Sequence, residues 1–320
     1  MLLLFLQLLG SGCKEKKTEV VMSGGPKGGT FQTLASGLAE LVNKNLAEVD
    51  ITVEPSGGSV ANLSNVDKNR HSMGLAFSGD AFLMKEGKLE KGGARKTANN
   101  VTALASLYGA KSHLVVHRDS RIRSPYDLSG LRVAIGSHGS GSTLSAKRYF
   151  QALGIWDKII PIYVGYDIGI SELKQRGVDA VWLQVSYPND SILELSKAMP
   201  IQIVNLHNDA AAKGFYSTYP FYSEARIPAA TYYGQEDDIL TFEDAALLVA
   251  NKEMDQEIVY RLLRLLYSEQ GIAWMHSIDP LGRNPDQRKG LKGIKIPLHP
   301  GAERFWKEME KQGPFRKPAR

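Results

Sequence analysis

Only one of the 320 residues is cysteine. A lone Cys13 excludes a disulfide framework, a cysteine-rich zinc module and a Cys-x-x-Cys redox pair, because each needs at least two thiols. Long apolar runs are also lacking: past the first nine residues nothing approaches the roughly 20 apolar residues that span a bilayer. Excess charge is missing from the body of the chain. The formal net charge is +5, but the KEKK at 14–17 carries +2 and the last ten residues +4, which leaves the remainder at −1. Basicity confined to the two ends, and not spread over a face, argues against a nucleic-acid partner. Catalytic signatures are absent too. There is no Gly-x-Ser-x-Gly elbow, no His-Glu-x-x-His helix and no Gly-Lys-Ser/Thr phosphate loop, and Ser171-Glu172-Leu173-Lys174 matches Ser-x-x-Lys only on an amphipathic surface helix. Neither an enzyme nor a cofactor is expected.

With 43% apolar and 23% charged residues, what is present is an ordinary folded chain, long enough for about two domains of ~150 residues. Met1–Leu9 is apolar but too short to cross a membrane, and Gly10, Ser11 and Gly12 precede Cys13. This order resembles the lipobox of bacterial lipoproteins, in which the cysteine becomes a lipidated N-terminus. It departs in having Gly10 where a Leu is usual and no Lys or Arg before the apolar run. A plain cleaved signal with a bystander cysteine is the alternative, and either reading exports the protein to the periplasmic or cell-surface side of a bacterial membrane.

Short β-rich runs then alternate with helical patterns, as in βαβ units. Thr18–Ser23 precedes a helix with Phe31, Leu34, Ala35, Leu38, Leu41 and Val42 on one face, and MGLAFS at 73–78 is a strand covered on both sides. Further on, 240–251 reads as one more strand, followed by a single long helix from Asp255 to about Ile278. Four Gly/Ser-rich loops sit between a strand end and a helix start: Ser23–Thr30, Ser56–Ser59, Ser78–Asp80 and Gly139–Thr143. In an open α/β sheet ligands bind at that edge, where unpaired N–H groups and the helix dipole favour an anion. The same composition also serves as plain caps.

His113 and His117, four apart on a strand, could share a face as metal ligands, but no third ligand is indicated and core histidines are favoured. His138 in the fourth loop is a candidate ligand contact. The aromatic stretch Phe215–Tyr222, with Tyr232 and Tyr233, reads as packing around an interdomain crossover.

Taken in order, SGGPKGGTFQTLASGLAELVNK, SGGSVANL, GLAFSGDAFL, LYGAKSHLVV, DLSGLRVAIGSHGSGSTLSAKRYFQALG, VDAVWLQVSYPN, RIPAATYYGQ and IPLHPGAERFW resemble the TAXI substrate-binding proteins of TRAP (tripartite ATP-independent periplasmic) transporters. The resemblance covers about Val20 to Met309. It implies a bilobed α/β, type II periplasmic-binding-protein fold: 1–17 a signal or tether, 18–109 plus 224–320 the first lobe, 110–223 the second. It also implies a receptor that carries a small carboxylate, glutamate-like acids among them, to TRAP membrane subunits. Matched by motif, the contacts would be Gly29, Thr30 and Phe31; Ser56, Gly58 and Ser59; Ser78 and Asp80; Ser140, Gly141, Ser142 and Thr143; and Ser186 and Asn189, with Tyr108 at the crossover. Lys27 would add a full charge and Asp80 would accept from a ligand amine. Many members have Tyr-Tyr-Pro where this chain has Phe31-Gln32-Thr33, a departure that removes a phenol hydroxyl from a contact position and leaves glutamate or a related organic acid open as the solute. An exported enzyme on the same scaffold, or a sensory lipoprotein, are the other readings.

Overall fold

The computed structural model describes residues 17–26, 29–91, 94–278 and 289–312. The chain begins β1 (Thr18–Ser23), α1 (Thr30–Asn45), β2 (Val49–Glu54), α2 (Ser59–Lys68), β3 (Ser72–Phe77) and α3 (Ser78–Lys85), with β1 parallel to both β2 and β3. β4 (Leu89–Lys91) and β5 (Ala94–Lys96) pair with each other, and β6 (Val101–His117) follows. Next come β7 (Arg132–Ala134), α4 (Gly141–Ala152), β8 (Ile160–Ile162), α5 (Tyr166–Lys174), β9 (Ala180–Val185), α6 (Asp190–Ala198) and β10 (Ile201–Ile203). Two short helices, α7 (His207–Ala212) and α8 (Phe215–Thr218), lead to β11 (Ser223–Ile227) and β12 (Ile239–Asn251), and the chain ends in α9 (Gln256–Leu266), α10 (Glu269–Ile278) and α11 (Pro300–Gln312).

Among the described residues one sheet of ten strands runs β2-β1-β3-β12-β6-β9-β7-β8, with β10 on β6 and β11 on β12. Two long antiparallel strands tie it together. β6 pairs with β12 over Val101–Lys111 and then with β9 over Lys111–Val116, so one strand serves both halves. Register shifts beside Leu247 and Leu248 interrupt the β6–β12 ladder and add local twist where the halves meet.

Each half is a sheet coated with helices. All six positions expected on the inner face of α1 are buried, among them Leu34, Leu38 and Leu41, each contributing about 2–3 kcal/mol relative to exposure. β3 is buried at every residue, as its unbroken apolar run requires. In the other half Tyr149, Trp182, Phe215, Tyr222 and Phe242 pack ring against ring, so the buried aromatics of the Phe215–Tyr222 stretch, Phe215, Phe221 and Tyr222, serve as packing while Ser217, Thr218 and Pro220 stay exposed.

The long helix expected over Asp255–Ile278 is two helices. Ser268 ends the first by donating to the Leu265 carbonyl and begins the second by accepting from Gly271 N–H at 3.0 Å. A Cβ at Gly271 would run into the Leu265 and Leu266 carbonyls, so only glycine lets the chain turn this tightly. The break sends the helices to different partners: α9 packs on α11, while α10 docks on α1 with Trp274 Nε1 donating to the Gly37 carbonyl at 2.9 Å.

Candidate functional site

The C-terminal ends of β1, β2 and β7 deliver the starts of α1, α2 and α4 to one small cavity of about 30 Å³. α1 contributes Gly29, Thr30 and Phe31; α2 contributes Gly58 and Ser59; α4 contributes Ser140, Gly141 and Ser142. Tyr108 of β6, Phe77 of β3, Gln184 and Val185 of β9, Tyr166 of α5 and Pro26 complete the wall. Packing here is close. A Cβ on Gly58 would lie 3.7 Å from Ser140 Cβ, and one on Gly29 would lie 3.7 Å from the Tyr166 ring. Gly58 has φ +104°, and a Cβ on Gly141 would strike the Phe77 ring, so glycine is required at both positions. The two sides touch through a hydroxyl pair, Thr30 Oγ1 and Ser186 Oγ at 3.0 Å.

The wall presents hydrogen-bonding groups without full charges. α1 and α2 start on Gly29 and Gly58, and neither first turn has a side-chain cap. Both amide atoms of Gln184 are buried without a hydrogen-bond partner, and the buried Ser142 hydroxyl has the Tyr166 phenol as its polar neighbour. Tyr166 donates to the Gln184 main-chain carbonyl at 3.3 Å; burial raises its phenol pKa, while Ser142 and that carbonyl pull it back down. A pocket made from helix N-termini, hydroxyls and an amide suits a small anion held by N–H and O–H donors.

Nine of the residues expected in the site line this cavity, and Ser186 adjoins it through Thr30. Four others serve the framework instead. Ser56 accepts from Gly58 N–H and bonds Asn62, Ser78 donates to the Gly293 carbonyl, Thr143 donates to the Ile135 and Ser137 carbonyls, and Asn189 caps α6 by accepting from Ile192 N–H. Asp80 lies behind the wall, paired at 2.8 Å with the buried Arg148 of α4, which also donates to Tyr222. Its Oδ1 therefore meets a guanidinium, while Oδ2 is buried without a partner. Lys27 and Cys13 lie outside the described residues.

Gln184 and Tyr166 were not expected. Gln184 had a signal in the sequence, a lone polar side chain in the apolar run AVWLQV of a strand buried at every position. Tyr166, following β8 on the first turn of α5, had none.

At the start of α3, Asp244 of β12 accepts from Gly79 N–H with both carboxyl oxygens, at 3.2 and 3.1 Å. Burial and the neighbouring Asp80 charge push its pKa well above the usual carboxylate range. The two histidines are structural. His113 bonds the Lys111 carbonyl and the Tyr232 hydroxyl, burial lowering its pKa to about 4, and His117 bonds the Leu173 carbonyl. Among the described residues no three His, Cys, Asp or Glu come together as metal ligands. His138 is exposed and stacks on Tyr163 with ring centres 3.9 Å apart. A second cavity of about 280 Å³ shares Tyr108 with the first and includes Lys111, Lys292 and Glu243, whose carboxylate bridges both lysines at 2.8 and 3.1 Å.

Solved structures share this architecture. The periplasmic binding protein BugD is 16% identical with a TM-score of 0.52, covering 92% of this chain and 97% of its own. The R. palustris protein Rpa4515, solved with adipate, is 15% identical with a TM-score of 0.53 over 92% and 95%. A TctC solute-binding protein from Polaromonas is 13% identical at 0.50 over 92% and 98%. At these identities the likeness is one of fold: two α/β lobes, as in periplasmic binding proteins. Residues 22–309, almost the whole described chain, match the NMT1-like family, and the chain belongs to it.

Proposed function

We propose that this protein is an extracytoplasmic solute-binding receptor that closes two lobes, 18–109 plus 224–320 and 110–223, around a small carboxylate and hands it to a membrane transporter. The observation that carries the reading is the convergence of three helix N-termini, two from one half of the sheet and one from the other, on a single cavity without a charged side chain in its described wall. A carboxylate there would accept from N–H groups on both sides at once, so binding energy would favour the closed state and closure would exclude water. Thr30 and Ser186 would close one edge, and β6 and β12 would form the hinge. The sequence resemblance supports TRAP membrane subunits as the recipient and Cys13 as the lipid anchor, and adipate in the R. palustris structure agrees with an acidic solute in this fold.

Thermal unfolding of the mature protein, denatured and refolded to strip any resident solute, tests the reading against amino acids, oxo and hydroxy acids, dicarboxylates and sugars. A carboxylate at about a thousand times its dissociation constant adds about 4 kcal/mol of stability. Ser142→Leu, which fills the cavity, abolishes that shift and leaves the unliganded protein folded. A shift with sugars alone, or an unchanged carboxylate shift in Ser142→Leu, overturns the proposal.

A further inference from the structure

Gln184 is 2% exposed, and neither Oε1 nor Nε2 finds a partner, although its main-chain carbonyl is engaged by Tyr166. Rotating the amide by half a turn exchanges the two atoms and alters nothing, because both are idle. A buried amide with both ends unpaired is unfavourable until something bound provides what each end lacks, an acceptor for the NH₂ and a donor for the carbonyl. Ser142 Oγ lies on the same wall but has the Tyr166 phenol beside it, so the Gln184 amide is the group left wanting.

The described wall narrows what that partner can be. It holds no carboxylate: the lining is glycine, hydroxyl, amide, apolar and aromatic residues. Asp80 stands outside the lining, with Oδ1 paired to Arg148 and Oδ2 buried without a partner. An ammonium group would face the positive ends of three helices with no anion from the wall to balance it. The donor must therefore be neutral.

We infer that the solute is a small 2-hydroxy carboxylate whose carboxylate lies at the helix starts and accepts from Gln184, and whose α-hydroxyl donates back to the same amide. This rests on the carboxylate-receptor reading above. A hydroxy acid carries an acceptor and a neutral donor on adjacent atoms and can satisfy both ends of the amide. A 2-oxo acid brings acceptors only, an unsubstituted acid brings no donor, and an amino acid brings its donor with a charge.

The test is calorimetric titration of the full mature protein with 2-hydroxy, 2-oxo, 2-amino and unsubstituted acids, matched in three-, four- and five-carbon series with and without a second carboxylate. In whichever series binds, the 2-hydroxy acid is expected to bind at least about tenfold tighter than each analogue, because the analogues leave a buried polar group unpaired or add an unbalanced charge. In Gln184→Leu the four bind within about threefold of one another, while weak carboxylate binding persists. Equal binding of the oxo or unsubstituted acid, tighter binding of the amino acid, or an unchanged ranking in Gln184→Leu overturns the inference and leaves the receptor reading standing. No binding by any carboxylate overturns the receptor reading itself. If Gln184→Leu does not fold, the ranking in the unsubstituted protein still decides.

Discussion

Four helices begin in nearly the same way, on a Gly/Ser loop at the end of a strand, yet α3 differs from α1, α2 and α4 in what its N-terminus meets. At α3 the Gly79 N–H is taken by Asp244, a carboxylate of the protein itself, and Arg148 and Tyr222 complete a buried cluster around Asp80. At the other three the first-turn groups border a cavity, with the Gln184 amide idle. The contrast separates two uses of one motif. A helix start already met by a carboxyl group of the protein is part of the framework; one that borders a cavity beside an idle buried amide is, on the proposed reading, open to a solute.

Breaking the filled side has the largest expected effect. Arg148→Met strands Asp80 in the interior and should lower unfolding free energy by about 3–5 kcal/mol in urea denaturation, whereas Arg148→Met with Asp80→Asn should recover part of the loss. Equal destabilisation by the single and double variants would mean the ion pair is not the cause.

The pH profile sharpens the comparison next. Because Asp244 has a raised pKa in the folded state, that state binds its proton more tightly than the unfolded chain does. Its contribution is full below the ordinary carboxylate range of about 4 and falls as pH rises through the raised value. Asp244→Asn keeps an oxygen for Gly79 N–H and should flatten this decline, so the melting-temperature difference between variant and parent should grow with pH. His113 acts in the opposite direction. Its lowered pKa of about 4 makes stability fall as pH drops from 6.5 towards 4, and His113→Phe should remove that acid-side loss. Parallel pH profiles for parent and variant would refute either assignment.

The smallest effect is expected at Ser56, which supports the start of α2 from outside the cavity. Ser56→Ala should cost about 1 kcal/mol, the size of a lost cap hydrogen bond, with carboxylate affinity unchanged by titration. A large loss of affinity would place Ser56 in the site after all.

Much of the candidate site was legible because its determinants are local. Glycines and serines after a strand announce a helix start, and Gly29, Thr30, Gly58, Ser59, Ser140 and Ser142 do come together. The same signal also picked out Ser56, Ser78, Thr143 and Asn189, which cap or brace their own turns, since a hydroxyl or amide that caps a helix looks in sequence like one that faces a ligand. The break between α9 and α10 was hidden by a continuous apolar stripe: period alone does not reveal that Ser268 and Gly271 end one helix and begin another.

By itself the sequence determined the alternation of strands and helices, the buried face of α1 and the loops that open helices, because periodicity and capping depend on residues a few positions apart. Only the tertiary structure decided which helix starts are filled and which are open. Asp244 reaches Gly79 across 165 residues of chain, through the antiparallel pairing of β12 with β3, and Gln184 enters the cavity wall on β9. Those assignments follow from strand order and burial, which no local pattern encodes.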